Sequence, residues 1–276
     1  MRIAVFALVL FALLSACALA VTFGEPDLGR HPYVGTLLFQ TGTGWYSCSG
    51  TLIAPTVVLT AGHCTKEGGF PNVNTFVKFT PSISLADRPE GVSLLSYLEN
   101  SKNGWVKGTA IAHPLYDDYA QFPRTYDVGV VLLAKPVKLS THGELPPEGF
   151  LQTLTATSSQ TDNRFTLVGY GMQGVIRPFA SDIWERYQGT VRLIELNSAN
   201  TGGQSAKFTN NPGLGGGSCY GDSGGPIFYG NTNMITAVVS WGITPCIGNS
   251  YEFRIDTAVA LDFIRRCLSG GCSARH

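Results

Sequence analysis

The sequence predicts an all-β protein, a barrel or sandwich, with one helix at its C-terminus. Three observations carry this prediction. Charged residues make up only 14% of the 276 residues, well below the roughly 25% of an average globular protein. The chain also holds 33 glycines beside many Val, Thr and Leu. Finally, apolar stretches of strand length recur between clusters of Gly, Pro, Asn and Ser.

In chain order these stretches are Tyr33–Phe39, Thr51–Ile53, Val57–Leu59, Phe76–Phe79, Val128–Leu133, Phe165–Val168, Val191–Leu196 and Ile235–Val239. Their β-branched and aromatic residues suit a pleated, half-buried surface. Pro81–Asn103 is polar and reads as a loop-like insertion. Lys135–Gly149, with Pro136, Pro146 and Pro147, suits a linker between halves of similar size, about 21–140 and 141–276. Only the tail reads as helical. There Asp256 could cap a segment in which Ala260, Ile264 and Cys267, with Val259 and Phe263 beside them, recur at three- and four-residue spacing.

The N-terminus begins Met1-Arg2, continues through an apolar run from Ile3 to Leu14, and reaches Ala18-Leu19-Ala20. That is the pattern of a secretory signal over residues 1–20, with a mature start at Val21. The apolar run falls short of the ~20 residues a membrane span needs. Leu14-Ser15-Ala16-Cys17 also resembles the lipobox of bacterial lipoproteins, so a lipid anchor on Cys17 is the alternative to free secretion. Seven cysteines are an odd number, and removal of Cys17 leaves six. Six suit three bridges in an oxidising compartment, although 15 connectivities are formally open. The spacing suggests Cys48 with Cys64, Cys219 with Cys246, and Cys267 with Cys272. No Cys-x-x-Cys or His-x-x-x-His spacing occurs, so no zinc site is expected. Lys+Arg and Asp+Glu both number 19, and that balance argues against nucleic acid as a partner.

The chemistry concentrates at Gly221-Asp222-Ser223-Gly224-Gly225-Pro226. Glycines on both sides of Ser223 let the backbone turn sharply and bring its N–H groups close to a reacting oxygen. A serine hydroxyl is a weak nucleophile and needs a base. Thr60-Ala61-Gly62-His63-Cys64 supplies the leading candidate, because a bridge at Cys64 would clamp the loop that carries His63. His31, His113, His142 and His276 read as exposed or structural. For the orienting carboxylate, Asp127 stands at the mouth of the apolar run Val128–Leu133, where a charge is costly unless paired. Asp117 and Asp118 compete, but Tyr116-Asp117-Asp118-Tyr119 has no apolar strand behind it and reads as a solvated turn.

With His, Asp and Ser in this order, the chain resembles the trypsin/chymotrypsin family of serine endopeptidases. The resemblance spans nearly all of residues 21–276. It rests on Thr60–Cys64, Asp127–Leu133, Val168-Gly169-Tyr170-Gly171, Gly221–Pro226, Ser240-Trp241-Gly242 and the terminal helix. It implies two antiparallel six-stranded β-barrels and hydrolysis of peptide bonds through an acyl-enzyme. Ser223 would be the nucleophile, His63 the base and then acid, and Asp127 the group that fixes the imidazole. The N–H groups of Gly221 and Ser223 would form the oxyanion hole. Ser240, Trp241 and Gly242 would line the cleft, where an extended substrate pairs as an added strand.

The resemblance also frames three expectations about specificity and activation. Gly217, six residues before the nucleophile, would lie at the base of the primary pocket. It offers no charge for Arg or Lys, so small or apolar residues are expected there. The facing wall is either Ser250, which leaves the pocket open, or Tyr251, which closes it. Counting back from Pro32-Tyr33 places Val21-Thr22-Phe23-Gly24 at the family's new N-terminus, so the amine of Val21 would pair with Asp222. Thr65–Phe79 offers few acidic oxygens for a hard cation, and neither a metal nor a cofactor is expected. The expected partner is a protein or peptide substrate and the expected state a monomer. A protease-like binding protein with little turnover is the alternative function.

Overall fold

The computed structural model describes residues 20–67, 70–156, 163–174 and 184–272. Residues 1–19 of the predicted leader, Cys17 among them, lie outside these. The first barrel contains β1 (Val34–Gln40), β2 (Trp45–Ala54), β3 (Val57–Thr60), β4 (Asn74–Lys78), β5 (Val106–Ala112) and β6 (Gly129–Leu133). They close in the order β1-β2-β3-β6-β5-β4, and every neighbouring pair is antiparallel. The second barrel contains β7 (Arg164–Gly169), β8 (Tyr187–Glu195), β9 (Ser205–Asn210), β10 (Pro226–Tyr229), β11 (Ile235–Gly242) and β12 (Gly248–Arg254). Its order is β8-β7-β10-β11-β12-β9, and pairing of β8 with β9 across a bulge closes it. Closure removes the exposed sheet edges that would otherwise template aggregation.

The helical content departs from the sequence expectation. Besides α3 (Ala258–Leu268), the described residues include two short helices of more than one turn, α1 (Leu94–Glu99) and α2 (Phe150–Ala156). The first lies inside the insertion that reads as a loop. Ser93 caps it by accepting from the N–H of Ser96, and Tyr97 and Leu98 are buried beneath it. Asp256 does not cap α3, because Thr257 holds that position and accepts from the N–H of Ala260. Asp256 instead forms a buried ion pair with Arg254 at 2.9 Å and accepts from the N–H of Leu151 in α2 at 2.8 Å.

Ser49 of β2 helps to join the two barrels. Ser49 donates its N–H to the carbonyl of Ser223 at 2.8 Å and its hydroxyl to the carbonyl of Gly221 at 2.9 Å. The same hydroxyl accepts from the N–H of Tyr170 at 3.0 Å. Gly224 fits against this seam because a Cβ there would lie 2.0 Å from the hydroxyl of Thr60, and its φ of +75° suits glycine. Three disulfides are present, Cys48–Cys64, Cys219–Cys246 and Cys267–Cys272.

Candidate active site

His63 sits on one turn of 3-10 helix, Gly62–Cys64, directly after β3. The Cys48–Cys64 disulfide ties that turn back to β2. Gly62 is required by close approach, since a Cβ there would lie 2.9 Å from the ring of Tyr116 and 3.1 Å from Asp127 Oδ1. Asp127 is fully buried just before β6, and four donors converge on its carboxylate. The N–H of His63 reaches Oδ1 at 2.8 Å, and His63 Nδ1 lies 2.9 Å from Oδ2. The hydroxyls of Tyr119 and Ser240 both donate to Oδ2, at 2.8 and 2.5 Å.

These contacts decide the charges. Burial pushes Asp127 upward, but the neighbouring imidazole and the hydrogen bonds outweigh it and hold the carboxyl below its usual range. Burial would neutralise His63, yet the charge and hydrogen bond of Asp127 win and raise its pKa above 6.5. The ring is therefore a stronger base than a free imidazole, with its second nitrogen left for the cleft.

Tyr119 corrects the reading of residues 116–119 as a solvated turn. Tyr116 is 2% exposed beneath the His63 turn, and Tyr119 reaches the carboxylate from an adjoining left-handed backbone, with φ of 55° at Asp118 and 66° at Tyr119. Burial beside Asp127 pushes the Tyr119 phenol upward, so it stays protonated and donates. The signal was the aromatic pair itself, because two tyrosines are poor residues for a turn in water. Replacing Tyr119 by Phe is expected to lower kcat/KM by ~3- to 10-fold. With one donor removed, the carboxylate acts more strongly on His63, so the acid limb of the pH profile should move upward. An unchanged limb would assign Tyr119 to packing alone.

Ser223 lies in the loop before β10, next to the Cys219–Cys246 disulfide. Gly221 has φ of +95°, a conformation that favours glycine. Among the described residues, the N–H groups of Gly221 and Ser223 donate to no backbone carbonyl. Ser223 and His63 line a common cleft, and Ser223 also borders a second cavity of about 280 Å³ between Ser218–Tyr220 and Val239–Thr244. Ser240, Trp241 and Gly242 line this cavity, whereas Gly217 stands just behind it, paired with Thr22. Ser250 is opposite Gly242 and buried, with its Cβ 3.6 Å from where a Gly242 Cβ would be. Tyr251 does not close the cavity, because its ring stacks on Trp241 at 3.9 Å and its hydroxyl accepts from Asn200.

One further residue was invisible to sequence reasoning. Glu252 is fully buried behind the cavity, where it accepts from the Ser218 hydroxyl at 3.0 Å and the Ser240 N–H at 2.8 Å. Burial pushes its pKa up to about 7. Asp222 is also buried and is held by the N–H groups of Gly171 and Cys219, at 2.8 and 2.9 Å. Burial raises it to about 7 as well.

Two closed barrels, with a serine and a histidine–aspartate pair at their junction, are the architecture of a chymotrypsin-like serine endopeptidase. The family model described as Trypsin matches residues 21–264, and the chain belongs to the trypsin family. Trypsin of Saccharopolyspora erythraea is 29% identical over 226 residues, spanning 79% of this chain and 84% of that protein. The chymotrypsin-like serine proteinase of Haliotis rufescens is 25% identical and spans 87% of this chain and 91% of its own. Among solved structures, HL collagenase superposes with a TM-score of 0.64 at 17% identity, over 91% of this chain and 98% of that one. At that identity the superposition speaks for the fold alone.

Proposed function

We propose that the protein is a secreted endopeptidase that cuts protein substrates through an acyl-enzyme on Ser223. One observation carries the reading: the buried Asp127 holds His63 by both its backbone N–H and its ring nitrogen, in the cleft that Ser223 lines. His63 takes the Ser223 proton as the hydroxyl attacks the carbonyl and returns it to the leaving amine, while Asp127 stabilises the imidazolium. The N–H groups of Gly221 and Ser223 are the donors for the oxyanion. The edge at Ser240, Trp241 and Gly242 pairs with the extended substrate on its acyl side. Fluorophosphonate labelling of the purified mature protein tests this. Covalent modification of Ser223 is expected, and its absence would favour a binding protein without turnover.

In the primary pocket we infer a preference for small or apolar side chains. Gly217 brings no charge, and the lining includes Val239, Trp241 and Ile243. A basic side chain is the second reading, favoured by the buried carboxylate of Glu252, although both its oxygens are already bonded to Ser218 and Ser240. A peptide-library digest separates the two. Cuts after Lys or Arg would replace the apolar reading.

The same proposal extends to activation. Val21 is fully buried against Gly189 of β8, and the Thr22 carbonyl accepts from the N–H of Gly217 at 3.1 Å. Asp222 lies against Gly169 of the neighbouring β7 and has no cationic partner among the described residues. A Val21 amine freed by removal of residues 1–20 would supply that charge. Phe23, standing where the family has glycine, adopts φ of 63° at a steric cost of order 1 kcal/mol. Retaining one extra residue before Val21, verified by mass spectrometry, is expected to lower kcat/KM by ~100-fold or more, the scale of a lost buried ion pair. Equal activity of the extended and trimmed forms would sink this route.

A further inference from the structure

The insertion at residues 81–103 has no readable motif, yet it builds one wall of the larger cleft. Pro81–Ile83 runs beside Trp184–Arg186. Ile83 donates its N–H to the carbonyl of Trp184 at 2.8 Å, and Arg186 donates to the carbonyl of Pro81 at 2.7 Å. Arg186 is locked in turn by a buried ion pair with Asp27 at 2.8 Å. This frame places Leu85 and Trp184 on a cleft of about 840 Å³ that Leu94, Trp45 and Met172 also line. Leu94 opens α1, whose cap at Ser93 and buried Tyr97 and Leu98 fix its position. The cleft is continuous with the reacting groups, because His63, Gly221 and Ser223 form its end.

Ser240, Trp241 and Gly242 belong to the other cavity, which meets this cleft at Tyr220 and Ser223. In an acyl-enzyme that edge holds the acyl half of the substrate, so the larger cleft faces the departing amine. A concave, aromatic and aliphatic wall beside a reacting centre selects by burial of apolar surface. We infer, on the basis of the proposed protease reading, that this enzyme selects substrates by a large apolar residue immediately after the cut bond. Trp45, Leu85, Leu94 and Trp184 are the specificity-determining residues.

Acyl transfer tests this without a peptide substrate. The enzyme is acetylated with p-nitrophenyl acetate, and the acetyl group then partitions between water and an added amine. The amine nitrogen forms the new N–C bond, the C–Oγ bond of Ser223 breaks, and the amine proton returns to Oγ through His63. Leucinamide and glycinamide have amines of similar basicity, so their capture ratio reads the cleft. It is independent of how fast the acyl-enzyme forms, and only folded, reactive molecules contribute to it. Leucinamide is expected to be captured about tenfold better than glycinamide. Leu94→Asp, and separately Trp184→Ala, should bring the ratio below about threefold. Equal capture by the native enzyme would overturn the inference while leaving the protease reading intact. Absence of any nitrophenol release would overturn both.

Discussion

Replacing Ser223 with alanine is expected to lower kcat for peptide hydrolysis by about a millionfold. The loop around Ser223 is held by its own carbonyl on Ser49, by the Cys219–Cys246 disulfide and by the two backbone donors on Asp222. None of these involves the Ser223 hydroxyl. The variant should therefore keep the fold, with stability within about 0.5 kcal/mol of the native protein. It should also keep substrate affinity and lose fluorophosphonate labelling. A residual rate of ~10³ to 10⁴ over water is expected from the oxyanion donors and binding. Kinetics beside thermal unfolding checks this, and a variant that retains a tenth of the native rate would remove Ser223 from the reaction.

Asp127→Asn is expected to lower kcat by about 10⁴. An amide offers one acceptor oxygen where the carboxylate offers two, and four donors reach for it: the His63 N–H, His63 Nδ1–H, Tyr119 and Ser240. If the amide nitrogen turns toward His63, it forces the ring proton to the other nitrogen and removes the base from the cleft. Stability should suffer too, because each buried donor left unpaired costs about 1–3 kcal/mol. The pH dependence has a definite sign. Asp127 raises the His63 pKa above 6.5 and His63 must be neutral to act, so native kcat/KM should rise with pH through a midpoint above that value. In the variant the midpoint should fall below the native one, since the negative charge is gone and burial alone remains. A midpoint that does not move would show that the acid limb belongs to another group.

Most of the first barrel was legible because strands such as β1 are buried on both faces: six consecutive residues, Val34–Phe39, are buried. The second was harder to see. β9 and β12 turn Ser205, Asn210, Glu252 and Arg254 inward, and these buried polar groups interrupt the hydrophobic pattern that marks a strand. β5 hid for a different reason, since Val106–Ala112 alternates exposed and half-buried positions with Lys, Gly and Thr among them. At the site, short motifs exposed Ser223, His63 and Asp127 because each is flanked by residues its geometry demands. Tyr119 and Glu252 have no such flanks. Each gains its role from partners on other elements: Glu252 binds Ser240 and Ser218, 12 and 34 residues before it, while Tyr119 meets Ser240 at the Asp127 carboxylate.

Ser49 belongs to β2 of the first barrel, yet its N–H and hydroxyl grip the carbonyls of Ser223 and Gly221 in the second. The path of the loop that carries Ser223 is thus fixed from across the junction, by a residue of the other barrel. Separation of the barrels would free both carbonyls while leaving the hydrogen-bonded ladders within each barrel untouched.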